Sequence, residues 1–307
     1  MVLGLRASLP ACLLAMVVLA AGCATSRVAD TSSPAPAGSE KVAAEPTSAP
    51  GPTDPAPRDD DETPTADEPG SPPVTPAPDD NAARGWYYTA NATHAVPAVA
   101  PGAADLLSDY GGRFTGLEPA CVYLTFDQGY ENGNTSAILD GLERNGVRAT
   151  FFVTASYIRN NPALVRRMAA GGHVVGNHSA THPSMPGLAG DPAAFEEELA
   201  DTARAYRDVT GAEIAHVFRP PMGEYSPLSL WRTQALGYES VFWSFAHRDW
   251  IVDDQPAVDV TVTRMLAGSH PGAIYLLHGV SSSDAQALDA AVAGLRAQGY
   301  RFGMLDG

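Results

Sequence analysis

Between residues 122 and 305, short apolar runs alternate with longer helical stretches, and this alternation narrows the choice of fold more than any other property of the chain. Strand-like runs occupy residues 122–126, 150–153, 173–176, 216–218, 240–245 and 273–277, with a last one near 300–305. Helical patterns fall between them at 135–145, 162–170, 191–210, 227–236, 257–267 and 284–298. Several of these end on a glycine, at Gly146, Gly211, Gly237 and Gly299, where a residue free to turn left-handed closes a helix. Strands and helices that alternate at these lengths predict an α/β fold with a mainly parallel sheet, and about seven units predict a barrel or near-barrel. In such folds, residues just past the strand ends gather on one face, where chemistry is usually found.

The polar residues follow those strand ends closely. Asp127 and Gln128, in FDQGYENG, follow the first run, and His178 and His182, in NHSATH, follow the third. Arg219, in RPPMGE, follows the fourth; Asp249 and Trp250, in HRDW, the fifth; and His278, in LLHG, the sixth. Each has an ordinary reading when taken alone. A histidine after a strand more often packs or caps than ligates, RPP can be a rigid turn, and DW by itself means little. Five such stretches at successive strand ends point to one shared site. The four-residue spacing of His178 and His182 puts both imidazoles on one side of a helical turn, where they can grip one divalent cation. Zinc, cobalt and manganese all suit nitrogen and oxygen ligands, and the sequence does not choose among them.

The order TFDxG, HSxxH, RPPxG, RDW and LLH resembles the polysaccharide deacetylases of carbohydrate esterase family 4, the NodB-like domain, from the Tyr87 region to the C-terminus. Within that family, FDQGYENG, RRMAAGGHVVGNHSATHP and HPGAIYLLHGVS resemble the peptidoglycan N-acetylmuramic acid deacetylases of the delta-lactam-biosynthetic group. The resemblance implies a distorted (β/α) barrel and metal-assisted hydrolysis of N-acetyl groups on cell-wall glycan. It implies Asp127 as general base oriented by Arg219, His278 as general acid aligned by Asp249, and His178 and His182 as metal ligands. Met222 would offer its backbone N–H to the oxyanion, while Trp250 and Leu276 would wall the acetyl pocket.

Two positions depart from the family pattern. Most of the family carries a second Asp as a metal ligand where this chain has Gln128. An amide oxygen can still coordinate but brings one negative charge fewer, so a loosely held, exchangeable metal is expected. The delta-lactam group also tends to carry an amide there. Met222 replaces the usual aromatic after RPP and opens the groove, which suits the lactyl group of a muramic acid. The alternatives are the same chemistry on GlcNAc oligomers or acetylated xylan, or an inactive tethered glycan-binding protein, a reading motivated by Gln128.

The N-terminal stretch MVLGLRASLPACLLAMVVLAAGCATS has Arg6, an apolar run and small residues before a cysteine, the layout of an export signal too short to span a membrane. Its LAAGC ending resembles a bacterial lipobox with Cys23 as the lipidated residue, so residues 1–23 are expected to be a lipoprotein signal, with an ordinary secretory signal as the alternative. Residues 24–84 are rich in Pro, Ala, Thr and acidic side chains and poor in large apolar ones, predicting a disordered tether ahead of a catalytic domain at 85–307. The expected location is therefore the outer face of the cell membrane, or secreted without the anchor. Half of the net charge of -16 lies in the tether, so acidity says little about the substrate, though it argues against nucleic acid as a partner. A monomer is expected. Of the three cysteines, Cys12 and Cys23 belong to the signal, and Cys121 reads as a small buried hydrophobe rather than part of a disulfide framework. His173 reads as structural, His247 as a substrate contact and His270 as a loop residue.

Overall fold

The computed structural model describes residues 76–305; the signal segment with Cys12 and Cys23, and the tether as far as residue 75, lie outside the described residues. Eight strands build the main sheet: β1 (Cys121–Gln128), β2 (Thr150–Val153), β3 (Val174–Asn177), β4 (Ala215–Phe218), β5 (Glu239–Ser240), β6 (Phe245–Ala246), β7 (Ile274–His278) and β8 (Arg301–Gly303). Their order is β6-β7-β1-β2-β3-β4-β5, with β8 beside the start of β1, and every pairing is parallel. The expected run at 240–245 is broken into β5 and β6, which are not paired with each other. Isolated bridges from Arg113 to Val241 and from Thr115 to Ala273 carry a separate segment across that opening.

The helices fall where the periodicity predicts them: α1 (Thr135–Arg144), α2 (Pro162–Ala170), α3 (Pro192–Thr210), α4 (Pro227–Ala235), α5 (Val258–Ala267) and α6 (Ser282–Ala297). α3 shows how locally the boundaries are written. The Asp191 side chain accepts from the Ala193 and Ala194 N–H groups, Pro192 occupies the first turn, and Gly211 ends the helix at φ 74°.

β1 alternates between two cores. Val122, Leu124 and Phe126 face the helices, whereas Cys121 and Tyr123 join Phe152, Val217, Val241, Ile274 and Leu305. Side chains from strands as far apart as β7 and β4 meet in that second cluster, which requires the sheet to curl into a half-barrel around it. Cys121 is buried there, as its apolar reading implied. The inner face of β1 then continues into polar residues, Thr125 and Asp127.

The packed chain begins earlier than residue 85. Leu228 N–H donates to the Asp80 carbonyl (3.1 Å), Asn81 Nδ2 donates to the Pro186 carbonyl (3.0 Å), and Ser226 Oγ donates to Asn81 Oδ1 (2.7 Å). Arg84–Gly85 then pairs antiparallel with Glu224–Tyr225. Residues 80–84, expected in the tether, are thus docked on the domain through small polar contacts that hydrophobic patterning does not register. Trp86 completes the strap, its ring 4.7 Å from that of Phe242 and its Nε1 donating to the Trp243 carbonyl.

Candidate active site

Asp127 ends the inner face of β1, and Arg219 reaches it from the residue after β4. Arg219 is wholly buried and donates from Nη1 to Asp127 Oδ1 (2.8 Å) and Thr125 Oγ1 (2.7 Å), and from Nε to the Val241 carbonyl (3.3 Å). Its guanidinium lies 4.2 Å from the centre of the Phe152 ring, so the cation is held by a carboxylate, two oxygens and an aromatic face. Burial works against ionisation of Asp127, yet the charge of Arg219, with that of His278 adding to it, holds its carboxyl below the usual range. Asp127 is therefore an oriented carboxylate with Oδ2 left for other work.

His178 follows β3 at a register shift between Gly176 and Asn177, an irregularity of the kind that re-aims a side chain at a strand end. Its Nδ1 lies 2.7 Å from the Arg219 carbonyl, a contact that requires the proton on Nδ1 and leaves the lone pair on Nε2. That Nε2 is 3.6 Å from Asp127 Oδ2. Burial pushes the His178 pKa down to about 4, which keeps the ring neutral. The His178 and His182 rings approach to 4.9 Å between centroids.

They do not share a helical turn, contrary to the expectation from their spacing. The segment is a loop in which Ser179 (φ 65°) and His182 (φ 62°) are both left-handed. Pro183 disfavours a helical conformation at His182, and Glu198 accepts from the Ala180 and Thr181 N–H groups, replacing the bonds a helix would make. Backbone held in this region costs free energy and persists where the surroundings impose it.

Gln128 corrects the expected ligand set. Side chains alternate along β1, so Gln128 points to the opposite face from Asp127 and is wholly buried there. Its amide fills the space where a Cβ on residue 279 would sit, which requires glycine at that position. Thr135 Oγ1 donates to its Oε1 (3.5 Å), and Nε2 has no hydrogen-bond partner among the described residues. The two neutral imidazoles remain as donors, and a pair of nitrogens with open positions for water and substrate suits a weakly held divalent cation.

Across the same cavity, His278 ends β7 opposite Asp127 in the β7–β1 register. Its Nδ1 lies 2.8 Å from Asp249 Oδ1, and its backbone N–H donates to Asp249 Oδ2 (2.7 Å). Burial alone would lower the pKa of His278, but the hydrogen bond and charge of Asp249 raise it above its ordinary value. The cavity is about 620 Å³ and is lined by Asp127, His178, His182, Met222, Trp250, Leu276 and His278. Met222, at φ 59°, and Trp250 stand exposed at its mouth, and Leu276 is buried in its wall. Arg219 and Asp249 lie behind the groups they orient.

His247 does not reach this cavity, which corrects its reading as a substrate contact. It borders a second cavity of about 600 Å³ beside the N-terminal strap. Among the described residues, one group of three potential ligands comes together: His247, Asp249 and Asp284, with donor atoms all within 4.8 Å of one another. Both Asp249 oxygens are already committed to His278, so this cluster stands behind His278 rather than offering an open cation site. Asp284 was not legible from the sequence, where it is one more polar residue at the start of a helix. His173 is structural: its Nδ1 accepts from the Ala149 N–H (3.1 Å). His270 is a buried loop residue.

Residues 115–241 match the polysaccharide deacetylase family. The peptidoglycan-N-acetylmuramic acid deacetylase PdaA of Bacillus subtilis is 38% identical over 222 residues, covering 72% of this chain and 84% of the relative. An uncharacterised 30.6 kDa protein of Geobacillus stearothermophilus is 42% identical over 223 residues, covering 72% and 83%. The solved structure of Bacillus subtilis PdaA, described as a family 4 carbohydrate esterase, superposes with a TM-score of 0.70 at 37% identity, covering 73% of this chain and 95% of that one.

Proposed function

The chain belongs to the polysaccharide deacetylase family, and from that premise we propose that it hydrolyses N-acetyl groups on cell-wall glycan, acting on the N-acetylmuramic acid of peptidoglycan. The observation that carries the reading is the placement of an oriented carboxylate and an oriented imidazole against one cavity, each held from behind by an opposite charge. Amide hydrolysis needs both, one to take a proton from water and one to give a proton to the departing amine.

In this reading, Asp127 takes the proton of the attacking water while Arg219 keeps its carboxylate aimed. His278 donates its Nε2 proton to the amine nitrogen as the carbon–nitrogen bond breaks, and Asp249 stabilises the imidazolium until then. His178 and His182 would hold a divalent cation such as zinc, cobalt or manganese, which when bound polarises the acetyl carbonyl and makes water more acidic. The Met222 backbone N–H would face the oxyanion, and Trp250 and Leu276 would enclose the acetyl methyl group. The exposed Met222, in place of an aromatic ring, leaves room beside the pocket for a lactyl substituent.

Supplying purified full-length protein and a divalent metal to peptidoglycan glycan strands should release acetate, and mass analysis should place the loss on muramic acid. Acetate from GlcNAc oligomers or acetylated xylan alone would overturn the choice of sugar, and no acetate from any of them would overturn the activity. The pH profile of kcat/KM follows from the two orienting pairs. Asp127 acts as a base only when ionised, so activity is lost on acidification through its lowered pKa. His278 acts as an acid only when protonated, so activity is lost as pH rises through its raised pKa. The expected profile is a bell whose limbs lie outside the ordinary carboxylate and imidazole values; an alkaline limb at or below the ordinary histidine pKa would contradict the Asp249 assignment.

The lipid anchor at Cys23, the acidic tether and a location on the outer face of the membrane belong to the same proposal. A hydrolase anchored there would act on glycan at the outer face of the membrane.

A further inference from the structure

Asp284 lies in the first turn of α6, where its backbone N–H donates to Ser281 Oγ (3.0 Å). Its carboxyl group is turned inward and only 2% of the residue is exposed. Neither carboxyl oxygen accepts a hydrogen bond. His247 Nε2 is 3.0 Å from Oδ1 but does not meet hydrogen-bond geometry. A dry carboxylate whose facing donor, His247 Nε2, is misaligned is costly to keep ionised, whereas a neutral acid in the same place becomes a donor itself. The facing carboxylate is Asp249, with an oxygen within 4.8 Å; it is wholly buried and already receives two hydrogen bonds from His278.

Resting on the deacetylase reading, we propose that Asp284 is a positioning residue for the reaction: it shares its proton with Asp249 and so fixes the carboxylate that aligns His278. Two carboxyl groups this close in a dry site do not both ionise near neutral pH, where the pair holds one proton between them. Asp249 is the member that stays charged: burial opposes its ionisation, but the hydrogen bond and charge of His278 hold its pKa down. Burial and then the charge of Asp249 push Asp284 well above the usual carboxylate range. The other groups facing the pair are Ser281 beside Asp284 and His247 from the segment after β6, whose ring in turn feels Arg264 from α5; Asp127 acts on His278 across the cavity. Arg248 is turned outward onto Asp254 (2.9 Å).

The consequence is a catalytic acid whose partner cannot drift. With Asp284 neutral, Asp249 has its remaining acceptor capacity satisfied and keeps both oxygens on His278. As pH rises and Asp284 finally ionises, the second negative charge helps His278 keep its proton, extending the alkaline limb of activity.

Infrared difference spectra of the full chain, wild type against Asp284→Asn at neutral pH, test the protonation directly and need no activity. The expected result is loss of a protonated carboxyl band; loss of ionised carboxylate bands instead would overturn the proposal. Because this readout is independent of turnover, failure of the deacetylase reading and failure of the Asp284 assignment are distinguishable. In the pH profile, Asp284→Asn, which keeps a neutral donor, should hold kcat within about threefold of wild type and move the alkaline limb down by roughly half a pH unit or more. Asp284→Ala should lower kcat by about tenfold, the rate equivalent of one lost buried hydrogen bond, with KM unchanged. A merely structural residue would lower stability without moving the limb, so a limb unchanged in Asp284→Asn would overturn the role.

Discussion

Replacing Asp127 with Asn should cut turnover by about 10² to 10⁴-fold, the usual worth of a positioned general base, while glycan affinity changes little. Asn keeps the shape and the acceptor oxygen that meets Arg219 Nη1, so the cavity keeps its outline. What disappears is the capacity to take a proton from water. The contrast of lost turnover with retained binding is what separates an enzyme from a glycan-binding protein. If wild type and variant bind a glycan equally and neither releases acetate, the binding-only reading is correct and the catalytic one is not. The variant leaves the Arg219 charge without its counterion, so its melting temperature should fall. The assay therefore belongs at a temperature where both forms are folded.

The sequence made the scaffold and the rim legible because each rests on local, periodic information. Gly211 and Asp191 mark the ends of α3 by their own conformational and capping preferences, and the apolar runs of β1, β2 and β7 are continuous because parallel strands are covered on both faces. Asp127, Arg219 and His278 were readable because they sit one step past such runs. Features that depend on backbone path were not readable. His178 and His182 have helical spacing, but Pro183 and the acceptor Glu198 stabilise a loop instead. Gln128 adjoins Asp127 in sequence and is therefore on the other side of the sheet, which alternation could have shown had the strand been carried one residue further. The docking of Asp80 and Asn81, and the approach of Asp284 to Asp249, join residues far apart in the chain through single polar contacts. No periodicity announces such contacts.

The largest expected loss of stability follows replacement of Arg219 by Met. Arg219 and Asp127 form an ion pair of 2.8 Å between side chains that are 0% and 9% exposed. Removing one member of such a pair leaves the other buried and uncompensated, which costs roughly 3–5 kcal/mol. Methionine can still pack on Phe152, so the loss would report on charge more than on volume. The sign of the pH dependence is fixed by Asp127. Its folded pKa lies below its unfolded value, so its contribution to stability is present above the unfolded carboxylate pKa and is lost as pH falls through the folded one. In Arg219→Met that contribution should already be missing at neutral pH, and the denaturant midpoint should therefore depend less on acidification than in wild type. Combining Arg219→Met with Asp127→Asn should recover part of the loss, because neither buried charge then remains. Additive losses in the double variant would show that the two side chains are not energetically coupled, and the orientation of Asp127 would then need a source other than Arg219.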